Sequence, residues 1–230
     1  MAVSVLSSID VSGFHRTITT SIIVPENADW IQLLEESRCS LQLHYKFPVL
    51  VFVDPYELVH YHNFYTFQHH GYANLELPVT AMGSNGTSLL LTLTSVGPQD
   101  VKVPVHLRYG EISHSNSETH RTAEIAWPDF FLSCSSSVLK AESFLVSYDS
   151  LPGEFASSFE GCSLYVPLQI LKADANSSAQ FMVVAAPVGQ FADLADVWFG
   201  TVFTIVAMFL YVAYVSYVTA RRLGKRTKAE

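Results

Sequence analysis

Apolar and polar residues alternate in short stretches through most of this chain. In 101–109, VKVPVHLRY, Val101, Val103, Val105, Leu107 and Tyr109 share one side, while Lys102, Pro104, His106 and Arg108 share the other. A period of two predicts a half-buried strand, and Pro104, which has no N–H for the ladder, places it at an edge or a bulge. Comparable stretches at 17–24, 39–45, 87–96, 119–125, 130–134, 163–171 and 180–186, with the continuous apolar run 49–53, predict further strands. Gly97-Pro98-Gln99-Asp100 carries turn chemistry between 87–96 and 101–109 and predicts a hairpin there. Many short strands separated by turn residues predict a mainly β domain, an antiparallel β-sandwich-like fold. Only 29–37, DWIQLLEES, has helical spacing, with Trp30, Leu33, Leu34 and Ser37 on one side and Asp29 as N-cap. Ser- and Gly-rich stretches at 110–119 and 147–161 read as surface loops.

A different pattern ends the chain. Residues 197–220, VWFGTVFTIVAMFLYVAYVSYVTA, contain no charge. As a helix they reach about 36 Å, enough to cross a hydrocarbon core of ~30 Å. A buried soluble helix of this length normally keeps a polar face, and this one has none. Trp198 and Tyr217 suit the two headgroup zones. The predicted organisation is a β-rich domain over 1–196, a transmembrane helix over 197–220 and a basic tail over 221–230. Asp193 and Asp196 precede the span; Arg221, Arg222, Lys225, Arg226 and Lys228 follow it. Basic residues beside a span stay cytoplasmic, so the expected topology is single-pass type I, with the large domain lumenal. The reverse insertion leaves the domain in the cytosol and carries the basic tail across the bilayer, against the charge rule. A lumenal domain requires a signal sequence, and MAVSVLSSID has no basic n-region and only a short apolar patch. The expectation is that the chain begins after a signal or that its start is incomplete.

Charge narrows the function classes. Only 15% of the 230 residues are charged, which argues against wholesale disorder. Residues 1–220 hold 8 basic and 20 acidic side chains, net −12, while the tail is net +4. So acidic a body lacks the basic face that phosphate contacts require, and nucleic acid is not an expected partner. Two N-x-S/T sequons make Asn85 and Asn176 candidate glycosylation sites. Cys39, Cys134 and Cys162 allow one disulfide with one thiol left over, in a pairing that spacing does not choose.

Candidate chemistry is sparse. Asp54 and Glu57 suggest an acid/base pair for glycoside cleavage, but Asp-Pro-Tyr-Glu also reads as a turn, and spacing alone does not set two carboxyls across a sugar. His60, His62, His69 and His70 raise a zinc reading, yet they have no companion Cys pair and no H-E-x-x-H spacing. Among Tyr61, Phe64, Tyr65 and Phe67 they read as packing or partner contacts. Neither a nucleophile elbow nor a phosphate-cradling Gly loop occurs. The chain is expected to have no catalytic residues, no metal and no cofactor.

Several strings carry a resemblance. Gly13-Phe14-His15-Arg16, Val53-Asp54-Pro55-Tyr56-Glu57-Leu58 and Pro104-Val105-His106-Leu107-Arg108-Tyr109 occur in that order. Cys134 after an aromatic-apolar strand, Ala186-Pro187-Val188-Gly189 and the terminal span follow. Over nearly its whole length the chain resembles the PIG-X family, the accessory subunit of glycosylphosphatidylinositol (GPI) mannosyltransferase I, with its fungal counterparts. The resemblance implies a type I membrane glycoprotein of the endoplasmic reticulum. It implies one that stabilises a multi-span catalytic partner, PIG-M, without being the catalyst. That partner moves the first mannose from dolichol-phosphate-mannose onto glucosaminyl-phosphatidylinositol. The matching strings make Phe14, His15, Arg16, Asp54, Tyr56, Glu57, His106, Arg108 and Tyr109 candidates either for partner contact or for shared structure. Arg226 and Lys228 loosely resemble a basic retrieval signal and equally fit a solvated tail. The alternative class is an endoplasmic-reticulum lectin or cargo receptor that binds glycans through the β domain.

Overall fold

The computed structural model describes the chain except for residues 1, 11, 25–33, 73, 75, 76, 78, 83–85, 115–117, 136–144, 168, 172–180 and 227–230. It divides into two units, 1–111 with 120–187, and 112–119 with 188–230.

The first unit is built of strands. In chain order they are β1 (Ala2–Ile9), β2 (His15–Ile23), β3 (Cys39–Phe47), β4 (Val51–Phe52), β5 (Tyr65–His70), β6 (Thr87–Leu93) and β7 (Gln99–Leu107). There follow β8 (His120–Ala126), β9 (Asp129–Cys134), β10 (Leu145–Ser147), β11 (Ser163–Pro167), β12 (Gln169–Leu171) and β13 (Phe181–Pro187). One sheet runs β12-β1-β2-β7-β4, a second runs β10-β11-β9-β3-β6-β5, and β13 and β8 form a ribbon. Inward residues of both sheets and the ribbon, among them Val5, Ile18, Val103, Leu43, Leu91 and Val184, make one core. Two sheets sharing a core are the sandwich that the alternation predicts. The pairings are antiparallel except β1 with β12, which run parallel.

The second sheet is covered on both faces. Leu90 and Phe131 point away from the main core and meet Phe155, which a 3-10 turn at Gly153–Phe159 delivers. Tyr148 stacks on Phe131, ring centroids 4.6 Å apart. This explains the unbroken Leu89-Leu90-Leu91 of β6, because a strand buried on both sides has no reason to alternate. It also buries polar groups, some of which pair with each other: Thr92 Oγ1 donates to Gln42 Oε1 at 2.7 Å, and His44 Nε2 lies 2.8 Å from Ser88 Oγ. Cys39 and Cys134, register partners on β3 and β9, form the disulfide, and Cys162 is the free thiol.

Several expectations are corrected. The Gly97-Pro98-Gln99-Asp100 link is not a hairpin turn: β6 belongs to the second sheet and β7 to the first, so the turn carries the chain across the sandwich. Stretch 163–171 divides into β11 and β12, which lie in different sheets. The faces assigned to the end of β7 are reversed, because the strand stops at Leu107 and the Arg108 N–H turns to the Leu50 carbonyl at 2.8 Å. Arg108 is consequently buried and Tyr109 exposed. Pro104 sits where expected, since β4 covers only His106 and Leu107 of β7. Within the proposed helix 29–37, residues 34–36 are helical with Leu34 buried, and 29–33 lie outside the described residues. β1, β5 and β10 fall outside the predicted strands. Asn85 and Asn176 lie outside the described residues.

In the second unit, Ser113 pairs with Gln190 in a single bridge, and its N–H donates to the Gly189 carbonyl at 2.9 Å. A helix then runs Leu194–Arg226. Its stretch up to Arg222 is long and apolar enough to cross a membrane, and its large apolar side chains from Val197 to Tyr217 are exposed. Thr201 and Thr204 donate their hydroxyls to the carbonyls of Val197 and Gly200, at 2.7 and 2.8 Å, as a helix facing lipid requires. The helix begins three residues before the predicted span and continues into the basic tail.

Candidate functional site

The three strings read from the sequence meet at one corner of the first sheet. β2 starts at His15 and β7 ends at Leu107, so their antiparallel register sets His15 directly opposite His106. The two rings stand 4.7 Å apart. On the other flank of β7, Phe52 of β4 is the register partner of His106 and stacks on it at 5.1 Å and 12°.

The third string continues from β4. Asp54 accepts the Tyr56 N–H at 2.9 Å and caps a one-turn helix, Pro55–Leu58. Pro55 fits that first turn because its missing N–H would have had no helical partner. Leu58 is fully buried and pins the turn, so Glu57 faces the two histidines and Tyr56 faces out, 85% exposed. Glu57 Oε1 lies 2.9 Å from His15 Nε2, and Glu57 Oε2 lies 2.8 Å from His106 Nε2. Partial burial alone would raise the Glu57 carboxyl. The hydrogen bonds from His106 and His15, with their charge, outweigh it and hold the group below its ordinary 4.5. An ionised carboxylate only accepts, so both imidazoles donate through Nε2.

Both arginines of the strings are buried and turned to structural work. Arg16 donates to the carbonyls of Gly13 at 3.0 Å, Asp10 at 3.4 Å and Ala185 at 3.3 Å. It thereby closes the β1–β2 turn, in which Gly13 takes φ +80°, against β13. Arg108 donates to the Leu77 carbonyl at 2.9 Å and lies 4.4 Å from the centre of the Phe52 ring, while burial pulls its pKa down. Phe14 packs its ring on Tyr109 at 4.6 Å, and its carbonyl accepts the Leu107 N–H at 2.8 Å.

All nine string residues are thus neighbours or direct supports of one corner. Of the two carboxyls, Asp54 caps a helix and Glu57 is held by two imidazoles. His60 and His62 belong to a 3-10 turn and the bend after it, where His62 Nδ1 lies 3.0 Å from the Val59 carbonyl, whereas His69 and His70 lie on β5. The one cluster among the described residues with three metal-ligating side chains is His15, Glu57 and His106, with ligand atoms within 4.8 Å of one another. Proximity along the sequence does not reveal this cluster, because its members stand 42 and 49 residues apart.

Residues 11–217 match the family model described as PIG-X / PBN1. Searches of curated proteins and of solved structures found no match.

Proposed function

We propose a function that starts from one premise: this chain belongs to the PIG-X/PBN1 family. The family serves GPI-anchor biosynthesis as the accessory subunit of a mannosyltransferase, and the C-terminal helix anchors the chain in a membrane. On our reading, the chain is the non-catalytic stabilising subunit of GPI mannosyltransferase I in the endoplasmic reticulum. It supports a PIG-M-type catalytic subunit in adding the first mannose. The family match from residue 11 to residue 217 carries the reading, since it takes in the β domain and most of the apolar helix together. The charge asymmetry of the helix ends supports a cytosolic tail and a lumenal domain, where Asn85 and Asn176 accept glycans.

The mechanism is thermodynamic. A subunit that binds only the folded catalytic partner stabilises it by mass action, by ~2.7 kcal/mol when its concentration is 100 times Kd. A smaller unfolded fraction means slower degradation. The exposed Tyr56 and Tyr109, backed by a rigid corner of hydrogen-bonded histidines and buried arginines, suit the contact.

Deletion of the chain tests this directly. The level of the catalytic subunit and the yield of the first mannosylated intermediate should both fall, and the tagged chain should co-purify that subunit. An unchanged level and yield would refute the reading. In sealed microsomes, added protease should remove the tail and leave the β domain intact; digestion of the β domain would overturn the topology.

A further inference from the structure

The corner has a chemistry that partner binding does not use. We propose that His15, Glu57 and His106 form a site for one divalent transition-metal ion of the zinc class. Two imidazole nitrogens and one carboxylate are a donor set that zinc accepts, with its fourth position left to water. At metal–ligand bonds of ~2.0–2.1 Å, tetrahedral angles set ligand atoms about 3.3 Å apart. Here each Nε2 lies 2.9 or 2.8 Å from its carboxylate oxygen. The ion therefore enters when these contacts open by about half an ångström and the ligand atoms, all within 4.8 Å of one another, settle to that spacing around one carboxylate oxygen. Side-chain rotation supplies that, because the backbone is already placed: His15 and His106 are register partners, and Glu57 rides on a capped helix anchored by Leu58.

Entry is open from the His15 side, whose side chain is 55% exposed. The Phe52 ring against His106 backs the site with apolar surface. Arg108, the guanidinium carried by the same string as His106, donates to the Leu77 carbonyl and lies over the Phe52 ring. The proton inventory balances. Each Nε2 proton that now bridges to Glu57 moves to Nδ1 of the same ring, or to solvent from a doubly protonated ring. The two Nε2 lone pairs and one carboxylate oxygen then bind the ion, and no electron is transferred. Such an ion ties the three strings together and stiffens the turn that presents Tyr56. The proposal concerns this chain alone and stands whatever partner the corner meets.

The test uses the full-length chain purified in detergent and stripped with chelator. Zinc alone, titrated by calorimetry, should bind at one equivalent and raise the thermal midpoint. Cobalt(II) should give the visible bands of a four- or five-coordinate site without a thiolate charge-transfer band. His15→Gln, on a side chain 55% exposed, should weaken zinc at least tenfold, as should Glu57→Gln. His69→Gln with His70→Gln should leave the affinity unchanged. No saturable binding by the unmutated chain overturns the proposal, as does an unaltered affinity in folded His15→Gln. A thiolate band, which would assign the metal to Cys162, or an equal loss in the His69/His70 variant also overturns it.

Discussion

Replacing Tyr56 and Tyr109 by alanine together separates a partner surface from a merely structural corner. Tyr56 is 85% exposed and Tyr109 is 68% exposed. A tyrosine side chain offers about 200 Å² for burial, which leaves ~170 and ~135 Å² of these two for a partner to cover. With roughly two-thirds of that area apolar, at 25 cal/mol per Å², the pair contributes at most about 5 kcal/mol to association. Ordering costs reduce the visible share, and interface anchors commonly cost ~2 kcal/mol each on truncation. A loss of ~2.8 kcal/mol, well inside that ceiling, is already a hundredfold in Kd. The cost to the chain itself is smaller: an exposed substitution changes stability by about 0.5 kcal/mol, and losing the Phe14–Tyr109 ring contact adds ~0.5–1.5 kcal/mol. The assay expresses the tagged double variant in cells lacking the native chain. It measures the melting of the purified chain, the catalytic subunit that co-purifies, and the steady-state level of that subunit. The melt should move little while capture drops about a hundredfold and the partner's level falls. A folded double variant that captures the partner undiminished would refute the contact role of this corner.

Three further outcomes follow from the packing. Cys39→Ser with Cys134→Ser opens a cross-link spanning 95 residues, so the chain-entropy cost is ~4.7 kcal/mol and denaturant unfolding shifts to far lower concentration; alkylation without reductant should label Cys162 alone in the native chain. Gly86→Ala drives a Cβ into the backbone carbonyl of Phe47, which has no flexible end to yield, and should destabilise by about 1–3 kcal/mol in a denaturation series while leaving the Asn85 sequon intact. Glu57 has its folded pKa below 4.5, so the unfolded chain binds more protons there and stability rises with pH. Its contribution is complete above about 4.5 and is lost as pH falls through the lower folded value; the stability gap between the native chain and Glu57→Gln should therefore shrink below that pH, as read from denaturant midpoints at stepped pH.

What the sequence revealed depended on how local the cause was. The Val101–Leu107 alternation is written in consecutive residues, and it became β7 almost unchanged. Asp54-Pro55 similarly carries its own reason to start a turn. The Gly97–Asp100 link looked like a hairpin because turn residues specify a reversal of direction, not which sheet receives the next strand. β6 is recruited by β3 and β5, and that choice rests on Leu89, Leu90 and Leu91 being buried on two sides at once. The reversal of Arg108 and Tyr109 has a similar origin: the alternation holds only while the strand lasts, and the Leu50 carbonyl ends it one residue after Leu107. At the site, the nine residues were legible as members of three strings, but their convergence was not. It is a property of the β2–β7 register within the first sheet, which brings together histidines 91 positions apart.

That register also decides which of the nine residues remain available for a partner. Taken as letters, the strings look like a charged recognition surface, with two arginines, two acids and two histidines. In the fold, Arg16 faces three backbone carbonyls, Arg108 faces a carbonyl and an aromatic ring, Asp54 faces an amide, and Glu57 faces both imidazoles. Each of these groups gains partners that water would otherwise supply, so replacing one leaves a buried or half-buried polar group unsatisfied, at a cost of about 1–3 kcal/mol. Loss of function in such a variant would report on folding before it reported on binding. The side chains most open to solvent are Tyr56, Tyr109 and His15, with Glu57 and His106 only about a quarter exposed. Contact through this corner must therefore be mainly aromatic. Aromatic contact is weakly sensitive to salt, since little ionic attraction is involved. An association with the catalytic subunit that weakened steeply as salt was raised would place the contact on the acidic surface elsewhere in the domain.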